Sequence, residues 1–283
     1  MDKQLRAGNT HQGNYMKNPQ ILLTNDDGIQ SPGLWTAASA LSELGFVNVV
    51  APRDQFSGAG RSLPIYSDGL IDQQKMEING RDWNVYAVGG TPAQAVLHAV
   101  FEILPEKPIL AVAGINYGEN LGTGVTISGT VGAALEAATH GIPALAISLE
   151  TKREYHLSYS PEVDFSTAGY FAAYFGRLLL EKTMPSDVCV LKVDVPCEAT
   201  PDTPWEITRL SRKMYYHPTP PERESWDQPG IPSYQVVGNP NEDQPDSDVY
   251  TVRVKGIVSV TPISLDLTSR IDLNELEHFL KEQ

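Results

Sequence analysis

The chain has 283 residues, which is long enough for one large domain or for one domain with an appendage. A hydrophobic content of 41% suffices for a substantial core, while 35 Asp and Glu against 21 Lys and Arg give a formal net charge of -14. This balance argues against a nucleic-acid-binding surface, which needs clustered Lys and Arg, and no segment reaches the length of a membrane span. The two cysteines, Cys189 and Cys197, form neither a disulfide framework nor a zinc pattern, so we expect a cytoplasmic protein.

Residues 1–19 are polar and lack the apolar segment of a signal peptide, so we expect them to form a disordered tail. The apolar run 21–23 predicts a buried first strand, which ends at the adjacent carboxylates of Asp26 and Asp27. In open α/β sheets, the carboxyl ends of the strands are where ligands bind.

The carboxylates of Asp26 and Asp27 repel each other unless a cation lies between them. Successive residues of a regular strand point to opposite faces, so these side chains can share an ion only if the backbone leaves the strand here. Gly28 gives the backbone that freedom. Because Asn-Asp-Asp-Gly is also ordinary turn chemistry, the motif alone is compatible with both a metal site and a plain turn.

The elements that follow continue the pattern of a strand, a helix and a strand. The apolar spacing over residues 34–44 predicts a helix, and residues 46–51 predict a second strand. The loop after that strand carries Ser57; it is either a surface connection or a segment that brings a hydroxyl to the acidic pair. The next region predicts three β segments, over residues 63–66, 71–78 and 83–88.

A second helix is predicted from Thr91, a good N-cap, and Pro92, a good first helical residue, to about residue 104. The apolar run 109–113 then predicts a buried parallel strand. Asn116 lies just past the predicted end of that strand, where its side chain can offer a neutral amide oxygen.

Small and hydroxyl-bearing residues, Ser128, Gly129 and Thr130, open the next predicted helix. Bare amides, hydroxyls and the positive end of a helix dipole together make a cradle for an anion. The same residues also form a plain N-cap with room for close helix packing. Both interpretations follow from the residues alone.

Strands and helices continue to alternate up to about residue 196. A strand is expected over residues 144–148, a helix over 162–182 and a strand over 188–195. This alternation is typical of a doubly wound, mostly parallel sheet, so the predicted fold class is α/β.

The composition changes after about residue 212. Residues 217–248 are rich in proline and acids and cannot build a core, so they form either a loose insertion or an arm that orders against another subunit. β structure is expected again over residues 250–260 and 262–267, and Asp272 predicts the N-cap of a short terminal helix. We therefore expect four regions: a tail (1–19), a core (20–212), an arm (213–250) and a C-terminal segment that completes the fold (251–283).

Several motifs, taken in order, resemble those of the SurE (stationary-phase survival) nucleotidase family. The match runs from about residue 20 to about residue 269, and the joint order of the motifs is highly specific. The motifs lie at residues 24–29, 57–58, 89–93, 114–120, 128–131 and 259–262, with residues 265–267 following.

The resemblance implies a Rossmann-like domain and a metal-dependent phosphomonoesterase that hydrolyses nucleoside 5'- and 3'-monophosphates. It implies one divalent ion per subunit, with Asp26 and Asp27 also as catalytic residues. The implied metal ligands are Asp26, Asp27, Ser57 and Asn116. The implied phosphate-binding residues are Asn120, Ser128, Gly129 and Thr130. A homodimer or homotetramer with extended C-terminal arms is also implied, and residues 213–250 occupy the place of the arm.

Carboxylate, hydroxyl and amide oxygens suit Mg²⁺ or Mn²⁺, whereas Zn²⁺ usually requires His or Cys. Such an ion can polarise a phosphoryl oxygen while the amides of residues 128–130 hold the others. The nucleophile is either water, with Asp26 as a base, or Asp26 itself through an aspartyl-phosphate. Residues 53–56 depart from the family's pattern and lack one basic residue, so a different base or leaving-group preference is expected.

Three other functions fit parts of the sequence. A nicotinamide-type dehydrogenase needs G-x-G-x-x-G in its first turn, where residues 25–30 carry two carboxylates instead. A phosphoacceptor signalling domain needs an aspartate at the end of its third strand, near the position of Asn116. A non-catalytic nucleotide sensor or scaffold that uses the same cleft stays an alternative, which binding of 5'-AMP without turnover would favour.

Overall fold

The computed structural model describes residues 19–78 and 80–282, so the tail predicted over residues 1–19 lies outside the described residues except for Pro19. A nine-stranded mixed sheet forms the centre, and a two-stranded sheet lies beside it. The strands are β1 (Gln20–Thr24), β2 (Phe46–Pro52), β3 (Ile71–Ile78), β4 (Arg81–Val88), β5 (Leu110–Tyr117), β6 (Ala144–Leu149), β7 (Val190–Val195), β8 (Trp205–Ile207), β9 (Tyr216–Thr219), β10 (Ser233–Val236) and β11 (Val258–Ile263). The helices are α1 (Pro32–Leu41), α2 (Pro92–His98), α3 (Gly129–Thr139), α4 (Ser166–Glu181), α5 (Asp248–Tyr250) and α6 (Leu273–Lys281).

The strand order in the large sheet is β3-β4-β2-β1-β5-β6-β7-β11-β8. The six strands from β4 to β7 in this order are parallel to their neighbours, whereas β3 pairs with β4, and β11 with β7, in antiparallel fashion. This arrangement confirms the predicted α/β class with a mostly parallel sheet. It also places the carboxyl ends of β1, β2, β5 and β6 at one edge.

Helices cover both faces of the sheet. Because the side chains of a strand alternate between the two faces, each central strand contributes to two hydrophobic cores. Ile21 and Leu23 of β1 belong to the core under α1 and α4, together with Phe171 and Phe175. Leu22, between them, belongs to the opposite core under α2 and α3, where small residues allow the two helices to pack closely. A strand buried on both faces is the arrangement that its continuous apolar sequence predicts.

Two predicted β segments are wrong. Residues 63–66 form no strand and pair with no strand of the described residues, and Ile65 and Tyr66 are almost fully exposed. Residues 250–255 are helical: Ser247 caps α5, and a π-helical turn, Thr251–Lys255, continues it. The backbone of this segment forms its hydrogen bonds within the helix.

The predicted helix caps at Thr91 and Asp272 are present. Thr91 and Gln94 form a reciprocal capping box, and Asp272 accepts hydrogen bonds from the amides of Asn274 and Glu275. Among the described residues, no helix combines the length and the apolar character that crossing a membrane requires.

Candidate active site

The acidic pair lies where β1 ends, and its backbone turns sharply there. The Asn25 side chain donates to the carbonyl of Gly28 at 3.0 Å and accepts from the amide of Gly28 at 3.2 Å. Gly28 has a φ of 95°, a conformation that residues with a Cβ rarely adopt. The chain therefore leaves the strand at the acidic pair, as the metal-site interpretation of the motif requires.

Asp26 borders a cavity of about 410 Å³ at the carboxyl edge of the sheet. Thr130 Oγ1 donates a hydrogen bond to Asp26 Oδ1, so the start of α3 is joined directly to the acidic pair. A Cβ added to Gly129 would lie only 2.8 Å from Asp26 Oδ2, which explains the absence of a side chain there. Burial raises the pKa of Asp26, although the Thr130 hydroxyl and the nearby amides of α3 act in the opposite direction.

Asp27 is fixed by three neighbours. Gln55 Nε2 donates to its Oδ1 at 3.1 Å, the amide of Tyr117 donates to its Oδ2 at 3.1 Å, and the Tyr159 hydroxyl donates to its carbonyl oxygen at 2.7 Å. Burial raises the pKa of Asp27 well above its usual range, and the charge of Asp26 raises it further. A cation between the two carboxylates would favour the charged form of both.

The predicted ligands Ser57 and Asn116 border the same cavity as Asp26. Asn116 lies within β5, which continues past the predicted end of the strand, and the register with β6 shifts between Ala113 and Asn116. Such an irregularity changes the direction in which a side chain leaves the strand. The Asn116 amide group donates to the carbonyl of Gly118 at 2.7 Å, which leaves its oxygen as the end that can serve as a ligand.

The predicted phosphate-binding residues occupy different positions. Asn120 and Ser128 border the cavity, and Ser128 also caps α3 by accepting a hydrogen bond from the amide of Val131 at 3.1 Å. Gly129 and Thr130 are buried against Asp26 instead. The start of α3 therefore has two roles: it holds the Asp26 carboxylate in place, and it forms part of the cavity wall.

The donor set fits a hard divalent ion. It contains two buried carboxylates, one hydroxyl and one amide oxygen, all supplied by elements that meet at this edge. Among residues 19–78 and 80–282, no group of three or more His, Cys, Asp or Glu could hold a metal. An ion here would therefore depend on the neutral oxygens of Ser57 and Asn116 to complete its coordination.

A buried ion cluster, which sequence reasoning missed, holds the loop that carries Asn120. The ammonium of Lys192 contacts Asp194 and lies 3.2 Å from Asp248 Oδ2, and all three side chains are fully buried. The amide of Asn120 donates to Asp194 at 2.7 Å, and the amide of Gly122 donates to Asp248 at 3.0 Å. The signal in the sequence was the presence of two charged residues, Lys192 and Asp194, in an otherwise apolar predicted strand.

The β9-β10 hairpin of the arm also lines the cavity. Tyr216 and Tyr234 border the cavity together with His156 from the loop after β6. The hydroxyl of Tyr216 donates to the carbonyl of Glu119 at 2.7 Å. Burial raises the pKa of the Glu119 carboxyl to about 7, although the Tyr215 hydroxyl donates to it at 2.6 Å.

Comparison with known proteins identifies the family of the chain. The model of the family described as Survival protein SurE matches residues 21–217. Proteins named 5'-nucleotidase SurE from Thermococcus gammatolerans and Thermococcus kodakarensis are 44% and 43% identical, over 92% and 93% of this chain and 96% and 99% of theirs. The crystal structure of SurE protein from Aquifex aeolicus superimposes with a TM-score of 0.73 at 30% identity, covering 93% of this chain and 100% of that one. The chain belongs to the Survival protein SurE family.

Proposed function

We propose that this protein is a divalent-metal-dependent phosphomonoesterase that hydrolyses nucleoside 5'-monophosphates, and also 3'-monophosphates, to nucleoside and phosphate. The Thermococcus relatives, which are named 5'-nucleotidase SurE, support the 5'-nucleotidase activity. The single observation that carries the proposal is the convergence of Asp26, Ser57 and Asn116 on one cavity, with Asp27 buried beside them. Because these residues come from three distant parts of the sequence, only the fold brings them to one cavity.

In this proposal Asp26, Asp27, Ser57 and Asn116 hold one Mg²⁺ or Mn²⁺ per subunit. The ion, when bound, supplies positive charge that polarises a phosphoryl oxygen. Two carboxylates balance the charge of such an ion. Gln55 and the amide of Tyr117, which hold Asp27, fix one of these carboxylates before substrate arrives.

The remaining residues act on the phosphate group. In this proposal Asn120 and Ser128, which border the cavity, donate to the phosphate oxygens, and Gly129 and Thr130 contribute by fixing Asp26. Water attacks phosphorus and gives up a proton to Asp26, the bond from phosphorus to the ester oxygen breaks, and the leaving nucleoside oxygen takes up that proton from Asp26. The alternative route, attack by Asp26 itself, would produce an aspartyl-phosphate that acid quenching during turnover can trap.

We also propose that the chain forms a homodimer or homotetramer through its arm and C-terminal segment. Trp226 and Ile231 on the arm are 92% and 88% exposed, and Phe279 on α6 is 70% exposed. Apolar groups this exposed mark interaction surfaces when they cluster. A native mass of two or four times 30.9 kDa is expected, and a monomer would contradict the assembly.

The purified chain should release phosphate from 5'-AMP when Mg²⁺ or Mn²⁺ is present, and EDTA should abolish this release. Adding back either ion should restore it, because both suit an all-oxygen site. The measurement is phosphate release at a series of free metal concentrations, with the EDTA-treated protein as its own control. Binding of 5'-AMP without any turnover in metal-replete buffer would contradict the proposal and favour a nucleotide sensor.

A further inference from the structure

Ser57, one of the four residues assigned to the metal, lies on the loop after β2. It is exposed, whereas Asp26 and Asp27 are buried. The next residue, Gly58, has a φ of 77°, and a Cβ added there would meet no described atom within 4 Å. Because the loop is loosely packed at the position of Ser57, its course must be fixed from its two ends.

Backbone hydrogen bonds hold each end of this loop. The amide of Phe56 donates to the carbonyl of Asp26 at 2.7 Å, which joins the first end to the acidic pair. The amide of Gly60 donates to the carbonyl of Ile127 at 2.9 Å, which joins the second end to the segment just before α3. Residues 57–59 lie between these two anchors.

Arg61 extends the second attachment along α3. A Cβ added to Gly132 would lie 2.7 Å from the amide nitrogen of Arg61, so the loop crosses the helix where it has no side chain. About one helical turn further along, Arg61 Nε donates to Glu136 Oε2 at 2.6 Å, and its guanidinium also donates to the Thr139 hydroxyl at 3.4 Å. Glu136 is buried, and its other oxygen lies 3.3 Å from His140 Nε2. The loop is therefore tied by an ion pair to a carboxylate that is itself held in place.

We propose that Arg61 and Glu136 are positioning residues for the metal site, because their ion pair fixes the loop that presents Ser57 to the ion. This inference rests on the metal site of the proposed function. Thr130 of the same helix holds Asp26, so α3 sets the positions of two ligands that follow different strands. Residues that orient a metal ligand from behind typically contribute about 10–100-fold to metal affinity.

The first test is a titration of the full chain with Mn²⁺, followed by electron paramagnetic resonance in the absence of substrate. Arg61→Met should lower the affinity for Mn²⁺ about tenfold, at the lower end of the usual effect of such a residue. Loss of a positive charge alone would favour binding of a cation. A fall in affinity therefore reports the position of the loop, and an unchanged or higher affinity would overturn the inference.

Arg53→Met is the matched control, because Arg53 lies as far before Ser57 in the sequence as Arg61 lies after it. Arg53 pairs with Asp54 and Asp68 at 3.2 and 3.1 Å, all three side chains are about half exposed or more, and none of these residues lies on α3. Its replacement removes the same charge and should leave the affinity for Mn²⁺ within about twofold. Equal losses in the two arginine variants would contradict a specific role of Arg61.

A second test asks whether Arg61 acts through Ser57. In a Ser57→Ala chain, adding Arg61→Met should change the affinity for Mn²⁺ by less than about twofold, because residues that act as a unit are not additive. A further tenfold loss there would show a general structural role and overturn the inference. If Arg61→Met does not fold, Arg61→Met/Glu136→Gln leaves no buried charge unpaired, keeps the net charge, and makes the same comparisons.

A third measurement needs no metal. In EDTA, the amide of Gly60 should exchange its hydrogen faster in Arg61→Met than in the wild type, because the loop has lost its tie to α3. Binding of Mn²⁺ that depends on Arg61, without hydrolysis of 5'-AMP, would support this inference and overturn the proposed function. Hydrolysis of 5'-AMP combined with equal affinity for Mn²⁺ in the wild type and Arg61→Met would do the reverse.

Discussion

Replacing Asp26 or Asp27 by asparagine should lower kcat for 5'-AMP about a thousandfold and leave the chain folded. Each substitution removes one of the two charges that would hold the divalent ion, and the ion's effect on the transition state is worth several kcal/mol, at tenfold per about 1.4 kcal/mol. Asparagine keeps the size of the side chain. The measurement is steady-state phosphate release with saturating Mn²⁺, accompanied by circular dichroism.

The stability of these variants separates a site residue from a structural one. Burial raises the pKa of both aspartates, and the Asp26 charge adds to this at Asp27, so in EDTA neither substitution should lower the midpoint of urea unfolding. Asp72→Asn, on the exposed edge strand β3, is the matched control and should retain activity within about twofold. Near-normal turnover in both active-site variants would contradict the assignment of the acidic pair.

Lys192→Met should destabilise the chain by about 3–5 kcal/mol, the usual cost of removing one partner from a buried ion pair. Methionine has nearly the same length, but it leaves Asp194 and Asp248 fully buried without their cation. Burial lowers the pKa of Lys192, yet the charges of these two aspartates outweigh that effect and keep it above its ordinary value. Urea unfolding curves at pH 7 measure the change in the free energy of unfolding.

Lys281→Met provides the control for this cluster, because Lys281 pairs with Glu277 on an exposed face of α6 and should contribute less than about 1 kcal/mol. Since Asp194 accepts the amide of Asn120, Lys192→Met should also raise KM for 5'-AMP in the folded fraction. Equal shifts in the unfolding midpoint for the two lysine variants would show that the buried ion cluster contributes no more to stability than an exposed ion pair.

Local patterns predicted the parts of this fold that short stretches of sequence determine. The run 21–23 became the central strand β1, and Thr91 with Gln94 formed the capping box of α2, because each depends on neighbours close in sequence. The acidic pair was recognisable for the same reason. The strand predicted over residues 63–66 does not form, because a strand depends on a pairing partner and no other described part of the chain pairs with this segment.

The features of the candidate site that sequence alone did not predict depend on contacts between distant segments. Nothing near Lys192 in the sequence indicates that Asp248, near the end of the arm, will contact it. The same holds for Gln55 and Tyr159, which support Asp27 from two separate loops. Tyr216 and Tyr234 lie in a proline-rich segment without periodicity, so their position over the cavity could only be seen in the structure.

The central claim is that Asp26, Asp27, Ser57 and Asn116 together hold one divalent ion. Counting bound Mn²⁺ by electron paramagnetic resonance in the wild-type chain and in the Asp26→Asn/Asp27→Asn variant tests this most directly. One ion per chain in the wild type and none in the double variant, at the same free Mn²⁺, is the predicted result. Equal occupancy in the two proteins, or hydrolysis of 5'-AMP by wild-type chain that carries no metal, would contradict it.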